Sequence, residues 1–513
     1  MTNNLPARNN SVPPGYAYMT ARPSEPVIGS RASDAISLGR LIDRQHGVTE
    51  KIRYGGDQHV LVFGPNGKGK GTRVLMPNLL QMAGNKSIVV VDPKGELAAV
   101  TAPFRRSLGK VVIINPFGVL VDIPGYRDLK SDGFNPLAQL DPESKSFNKE
   151  AAQMSDALIS VDPKDPHWGN SARALVAATI MYTVVEAREK GLVPTMARVR
   201  DLICQASSKG DPLRGVDPVG IPATALKMME SGIAGLRNKA SQFTDWNREI
   251  QGIASTAKIQ TEPFDDEELS EDISKDGFDF RELKLRPTTV YLILPPDDME
   301  RHSKWLRLVL TSAIQAVLRV RRPGEPKVLF MLDEFFALGH LEIVSTVWAL
   351  VRGYGVQMMP VLQDLPQLKK LYPDMWETFI GMAGAILSFA TNGLTTADWL
   401  SRRAGETERQ TESYNSSENS GSSSGGGTST NSGSENSGTS WNHGTSSGSS
   451  SGYSRSQTKA PLMSPHKFFG LPPGFGVLTL DGLSDMVPVY APAYYDIRQC
   501  WLVARDNPYY QEQ

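Results

Sequence analysis

Apolar positions in the first third of the chain fall into short unbroken runs. "HVLVF" (59–63), "SIVVVD" (87–92) and "KVVIINP" (110–116) have the length and β-branched content of strands buried on both faces of a parallel sheet. Between them the pattern changes. A glycine-rich loop leads into "TRVLMPNLLQMA" (72–83), which reads as a helix, and "IVVVDPKGELAAVTAPFRRSLG" (88–109) reads as the next strand–helix unit. Strand-like runs return late in the chain, as "TTVYLILP" (288–295), "KVLFMLDEF" (327–335), "VQMMPVLQD" (356–364) and "GAILSFATN" (384–392). Helical segments such as "ERHSKWLRLVLTSAIQAVLRV" (300–320) separate them. This alternation predicts a doubly wound α/β sheet.

Two stretches break the alternation. From 141 to 275 the apolar spacing is helical throughout, in "NKEAAQMSDALISV" (148–161), "SARALVAATIMYTVVEAREKG" (171–191), "TMARVRDLICQA" (195–206) and "TALKMMESGIAGLRNKASQFTD" (224–245). We read it as an all-α domain inserted into an α/β domain formed by 36–140 and 276–513. The second stretch, 415–458, is nearly all Ser, Gly, Asn and Thr. It carries too little apolar surface to offset its ordering entropy, so the expectation is a disordered insertion. Because "FGVLTLDG" (475–482) resumes the strand pattern, this segment interrupts the domain and is not a tail. Residues 1–35, rich in Pro, Asn and Arg, read as a flexible arm.

Bulk properties narrow the function classes. The chain has 513 residues, enough for more than one domain, and a formal net charge of −1. No global charge draws it to nucleic acid or anionic lipid, so any such contact must come from a local patch. The two cysteines, Cys204 and Cys500, show no metal spacing and read as buried residues of a reducing compartment. The N-terminal residues lack the apolar core of a signal peptide. The longest uncharged apolar stretch, Thr378 to Ala397, is interrupted by Thr, Ser, Asn and Gly, and reads as a buried strand plus loop rather than a membrane span. The expectation is a soluble chain with no membrane span of its own.

Candidate chemistry starts at "GPNGKGKGTRV" (64–74), directly after the first strand. It follows the phosphate-binding pattern of Gly64, four residues, Gly69 and Lys70, with Gly67 inside the loop, but Gly71 stands where a Ser or Thr would hold magnesium. Such a loop lets backbone N–H groups converge on phosphate at a helix N-terminus, with Lys70 adding charge for the β- and γ-phosphates. Thr72 is one place beyond the usual hydroxyl. Alone, the motif reads equally as a structural glycine turn. The run "VLFMLDEF" (328–335) adds a strand ending in Asp333 and Glu334. In a nucleotide site Asp333 would hold Mg2+ and Glu334 would deprotonate the attacking water; otherwise they are solvated strand-end acids. The two motifs together favour an ATPase. Asp92, Lys94 and Gln363 are expected on the same carboxyl edge of the sheet, Gln363 as a γ-phosphate sensor. Arg352 reads either as an arginine finger reaching a neighbouring subunit or as a cation at a helix C-terminus.

The set "GPNGKGKG", "VVVDPKGEL", "DPHWGNSARALV", "LDEFFALG", "GYGVQMMPVLQD", "TADWLSRRAGETE" and "PLMSPHKFFGLP" is collinear over 55 to 495 and resembles the type IV coupling proteins of conjugation and type IV secretion, the TraG/TraD kind. A GKG loop without the hydroxyl is in keeping with that family. The resemblance implies a RecA-like P-loop motor that assembles as a homo-hexameric ring. It implies ATP and Mg2+ as cofactors, and delivery of relaxase-bound single-stranded DNA or effector proteins to secretion channel proteins. It also implies Lys70, Asp333, Glu334 and Gln363 as nucleotide-site residues, with Asp165 and Trp168 marking the start of the helical domain. The family's usual N-terminal membrane helices are absent from the pattern, so the expectation is a cytoplasmic protein held at the bacterial inner membrane by partners. The Ser/Gly-rich insertion is a second departure. Two other readings stay open: an FtsK-like double-stranded DNA translocase, and a nucleotide-binding substrate receptor with little hydrolysis.

Overall fold

The computed structural model of the chain describes residues 34–43, 47–296, 299–322, 324–427 and 440–510. The expected N-terminal arm therefore lies almost wholly outside the described residues. The strands are β1 (Ile36–Asp43), β2 (Gly47–Tyr54), β3 (His59–Phe63), β4 (Ser87–Asp92), β5 (Lys110–Ile114), β6 (Thr288–Ile293) and β7 (Val328–Leu332). After these come β8 (Val356–Leu362), β9 (Ala383–Phe389), β10 (Glu406–Gly427), β11 (Ser440–Pro461), β12 (Phe475–Leu480) and β13 (Val487–Tyr490).

Eleven of these strands form one sheet, in the order β2-β1-β13-β12-β9-β3-β8-β7-β4-β6-β5. The stretch from β9 to β5 is parallel throughout. From β9 outward to β2 the pairing is antiparallel. The central strands are buried along their whole length, which is why they read as continuous apolar runs. Successive residues point to opposite faces: Val89 and Val91 of β4 enter one core, Ile88 and Val90 the other.

Each face has its own helical cover. One carries Leu75, Leu79, Leu97 and Val100 from the segments that follow β3 and β4. The other carries Leu306, Leu310 and Val317 of the helix Met299–Arg319, on which the long helical segment stacks. That segment contains helices Phe147–Leu158, Pro166–Lys190, Met196–Cys204, Ile221–Met229, Ala234–Ala240, Arg248–Thr261 and Glu267–Asp272. Met154, Val176 and Ile253 of these helices belong to the same apolar cluster as Val89 and Phe330 of the sheet, so they extend the core on this face. Asp165 stands at the N-cap of the longest helix, and Trp168 lies against Gly252.

The structure differs from the sequence reading in three places. The described part of the Ser/Gly-rich segment is not irregular. Its described backbone forms an antiparallel ribbon in which β10 and β11 pair without a slip from Glu406–Pro461 to Gly427–Ser440. Its two ends leave the domain side by side, after helix Leu394–Ala404 and before Met463, so backbone pairing can propagate along both arms with little help from side chains. Cys500 is buried but Cys204, at the end of its helix, is exposed. The strands β1, β2 and β13 have no counterpart in the predicted elements. Irregular pairing near Gly39 and Ile42 breaks the alternation of the first pair, and β13 is only four residues long. Thr378 to Ala397 contains the buried strand β9 as expected, and among the described residues no helix is long and apolar enough to cross a membrane.

Candidate nucleotide site

The parallel order places the loop after β3 one strand away from the acids after β7, with β8 between them. All three strands point their carboxyl ends to one edge, where open α/β sheets hold ligands. The chain leaves β3 at Gly64, whose N–H still donates to the carbonyl of Leu362, 3.0 Å away. A side chain at Gly64 would crowd Phe389 at 3.2 Å. Gly67 and Gly69 take φ of +76° and +83°, which bend the loop as a side-chain-bearing residue would not. Gly71 then opens a π turn, Gly71–Leu75, that runs into the helix Met76–Gln81. Met76 donates to the carbonyl of Gly71, and Pro77, which has no N–H to give, sits in the first turn of the helix.

A cavity of about 1440 Å³ opens over this loop. Gly67, Gly69, Lys70, Gly71 and Thr72 line it together with Asp92, Lys94, Asp333 and Glu334. Lys70 is buried, makes a long hydrogen bond of 3.4 Å to Asn66 Oδ1 of its own loop, and among the described residues forms no ion pair. Burial lowers its pKa, against the attraction of Glu334 and Asp333. Asp333 is held up at about 6, first by its enclosure and then by the neighbouring Glu334 carboxylate. Glu334 has φ 47° and ψ 44°, and its N–H donates to Asp333 Oδ1 at 3.1 Å. Thr72 Oγ1 donates to the Gly69 carbonyl at 3.4 Å.

These residues fit a magnesium nucleotide. A buried ammonium that forms no ion pair among the described residues and a carboxylate raised by enclosure are both groups that a phosphate and a cation would satisfy. Among the described residues no group of three or more His, Cys, Asp or Glu could hold a metal ion by itself. That accords with magnesium, which binds through one or two carboxylates plus nucleotide phosphates and water. Asp333 would hold it. The space at Gly71 is open, since an added Cβ would meet only Leu97 Cδ2 at 4.0 Å. The structure gives no steric reason for the glycine there.

Other expected site residues take different places. Asp92 is fully buried and its Oδ2 accepts from the N–H of Ala98 at 2.8 Å, fixing the start of helix Glu96–Leu108. Burial pushes its pKa up to about 7. Gln363 follows β8 but does not line the cavity; its N–H donates to Gln367 Oε1 at 2.8 Å as the chain turns into helix Leu365–Leu371, which Asp364 caps. Gly64 is likewise in the sheet ladder and not in the cavity wall. Arg352 lies in the short turn Val351–Tyr354, and its side chain lies outside the described residues.

Several lining residues escape sequence reading. Glu96 heads its helix and accepts from Asn507 Nδ2 at 2.7 Å; the "DPKGEL" run could have flagged it. Arg73 donates through Nη1 to the carbonyl of Ala491 at 2.8 Å. Tyr126 and residues 494–510 have no signal in the sequence, because only tertiary folding brings them to the loop.

Residues 27–484 match the model of the family described as Type IV secretory system Conjugative DNA transfer. The Conjugal transfer protein TraG of Escherichia coli is 26% identical over 398 residues, 73% of this chain and 59% of that protein. Protein VirD4 of Rhizobium radiobacter is 28% identical over 360 residues, 69% of this chain and 48% of its own length. The chain thus spans about half the length of the curated relatives it matches. Among solved structures, the unbound conjugative coupling protein TrwBdeltaN70 aligns with a TM-score of 0.57 at 15% identity, covering 85% of both chains. The plasmid coupling protein TrwB in complex with ADP and Mg2+ aligns with a TM-score of 0.57 at 14% identity, over 86% of this chain and 87% of that one. At such identities the likeness is one of fold, and the fold is the α/β RecA-like P-loop NTPase expected from the sequence.

Proposed function

Because the chain belongs to the type IV secretory system conjugative DNA transfer family, we propose that it is an ATP-driven coupling protein. It delivers relaxase-bound single-stranded DNA, effector proteins or both to the proteins of a type IV secretion channel. The observation that carries this reading is the meeting of Lys70, Asp333 and Glu334 on one cavity over a glycine loop. The relatives add support: TrwB has been solved with ADP and Mg2+ and with ATP and GTP analogues.

The cavity's lining supports the following roles. Backbone N–H groups of the loop and the Lys70 ammonium bind and orient the phosphates. Magnesium, when bound, neutralises charge that builds on the β- and γ-phosphate oxygens. Asp333 sets its position, and ionises as the cation cancels the cost of enclosure. Glu334 takes a proton from the attacking water. Gln363 is retained only as a residue near the site that a bound nucleotide would have to draw in, and Arg352 as a finger toward a neighbouring subunit. We propose further that the working form is a homo-hexameric ring, that 141–275 acts as its all-α domain, and that partner proteins hold it at the bacterial inner membrane.

Steady-state ATP hydrolysis with single-stranded or duplex DNA tests the cargo half of the reading. Stimulation by single strands, or by a purified relaxase or effector, is the expected result. Stimulation by duplex alone would replace it with double-stranded translocation. Nucleotide binding without turnover under every condition would leave a receptor.

A further inference from the structure

The wall of the cavity facing the glycine loop comes from the far end of the chain. Pro473, Tyr494, Tyr495, Trp501 and Tyr510 line the same cavity as Lys70. This wall is fastened to the loop's own helix. Arg73, three residues past Lys70, donates to the carbonyl of Ala491, 418 positions away, and Gln81 Nε2 lies 3.3 Å from the sulfur of Cys500. Arg505 adds a second brace: its N–H donates to the carbonyl of Val100 at 3.0 Å and its Nε to that of Ala99 at 2.6 Å. The wall is therefore positioned against the phosphate loop by the fold itself.

Its aromatic side chains divide into a packed one and exposed ones. Tyr494 is buried and meets Tyr495 edge-on, with ring centroids 5.3 Å apart. Tyr495 and Trp501, in contrast, keep 48% and 58% of their surface exposed while lining the cavity. A triphosphate held at Lys70 carries its base away from the loop, into a cavity of about 1440 Å³ that the phosphates alone do not fill. A flat aromatic base and an exposed, anchored aromatic ring satisfy each other by stacking. We propose that Tyr495 and Trp501 form the stacking site for the base of the nucleotide whose phosphates Lys70 holds. This rests on the nucleotide site proposed above.

The test compares two ligands by calorimetry on the full chain: ATP with Mg2+, and inorganic tripolyphosphate with Mg2+, which has no base. The wild-type chain should bind ATP more tightly than tripolyphosphate. Tyr495→Ala and Trp501→Ala should each weaken ATP roughly ten-fold and leave tripolyphosphate within about two-fold. Tyr495→Phe and Trp501→Phe keep an aromatic face and should bind ATP nearly as the wild type does. Unchanged ATP affinity in both Ala variants would overturn the stacking site, as would equal weakening of the two ligands, which would mark the wall as structural support. A wild-type chain that binds neither ligand would overturn the nucleotide site and this inference with it.

Discussion

Glu334 sits in the left-handed region of backbone space, a conformation that costs a residue with a side chain about 1–2 kcal/mol. Such strain is kept where it serves a site, and here it turns the carboxylate off the line of β7 beside the cavity. Glu334→Gln keeps the shape and removes the proposed base. Turnover should fall at least a hundred-fold while bound ATP is retained, which a filter-binding assay of nucleotide off-rate would register. Parallel loss of binding and turnover would instead assign Glu334 to the metal shell. Asp92 allows a pH prediction. Its folded pKa, about 7, lies above the ordinary 3.8, so its contribution to stability is full below about 4 and is lost as pH rises through 7. Asp92→Asn should therefore raise the melting temperature at pH 8, by at most about 4 kcal/mol of stability, and make no difference at pH 4. Equal effects at both pH values would show that the helix cap, and not ionisation, governs this position. Lys70, Asp333 and Glu334 were legible in the sequence because short motifs fix them at strand ends. Arg73 and Trp501 were not, since their places depend on which distant segment the fold brings opposite them.

At the scale of elements, the parallel centre of the sheet could be read directly. Strands such as β4 and β8 are buried on both faces and so are apolar at every position, apart from their ends and the polar Gln357. Of the antiparallel flank only β12 could be read; β1, β2 and β13 could not. Its first pair is irregular and carries Gly39 at φ 118°, and its last strand is short. The π turn Gly71–Leu75 after Lys70 was hidden too, since its residues carry an ordinary helical pattern. The Ser/Gly-rich segment shows the limit of composition as a guide: it predicts poor burial, and says nothing of backbone pairing between two arms that start side by side. Because that pairing is confined to the two arms, Ser416 to Ser450 should be removable. A shorter connection changes loop-closure entropy by only about 0.6 kcal/mol per halving. The deletion variant is expected to melt within a few degrees of the wild type and to keep basal ATP hydrolysis. A large fall in melting temperature would mean that the ribbon supports the domain it projects from.

The whole molecule joins its two textures through one helix. Met299–Arg319 lies against the sheet on one side and meets helix Phe147–Leu158 on the other, where Gln315 Nε2 donates to Gln153 Oε1 at 2.8 Å. Arg307 on the same helix donates to Ser160 Oγ at 3.3 Å and reaches the space beside Gly339, close after the acids of β7. The carboxyl edge of the sheet and the helical segment thus share a packed core, as the proposed motor would need for hydrolysis to move cargo. The proposed function stands or falls with ATP hydrolysis at the cavity over the glycine loop. The most direct measurement is steady-state release of phosphate from ATP and Mg2+ by the purified chain, beside Lys70→Ala at equal concentration and with its melting temperature recorded. Hydrolysis by the wild type and a loss of at least a hundred-fold in the variant are expected, with the fold intact because, among the described residues, the Lys70 ammonium makes one long hydrogen bond, within its own loop. Equal hydrolysis by the two proteins would contradict the proposed function.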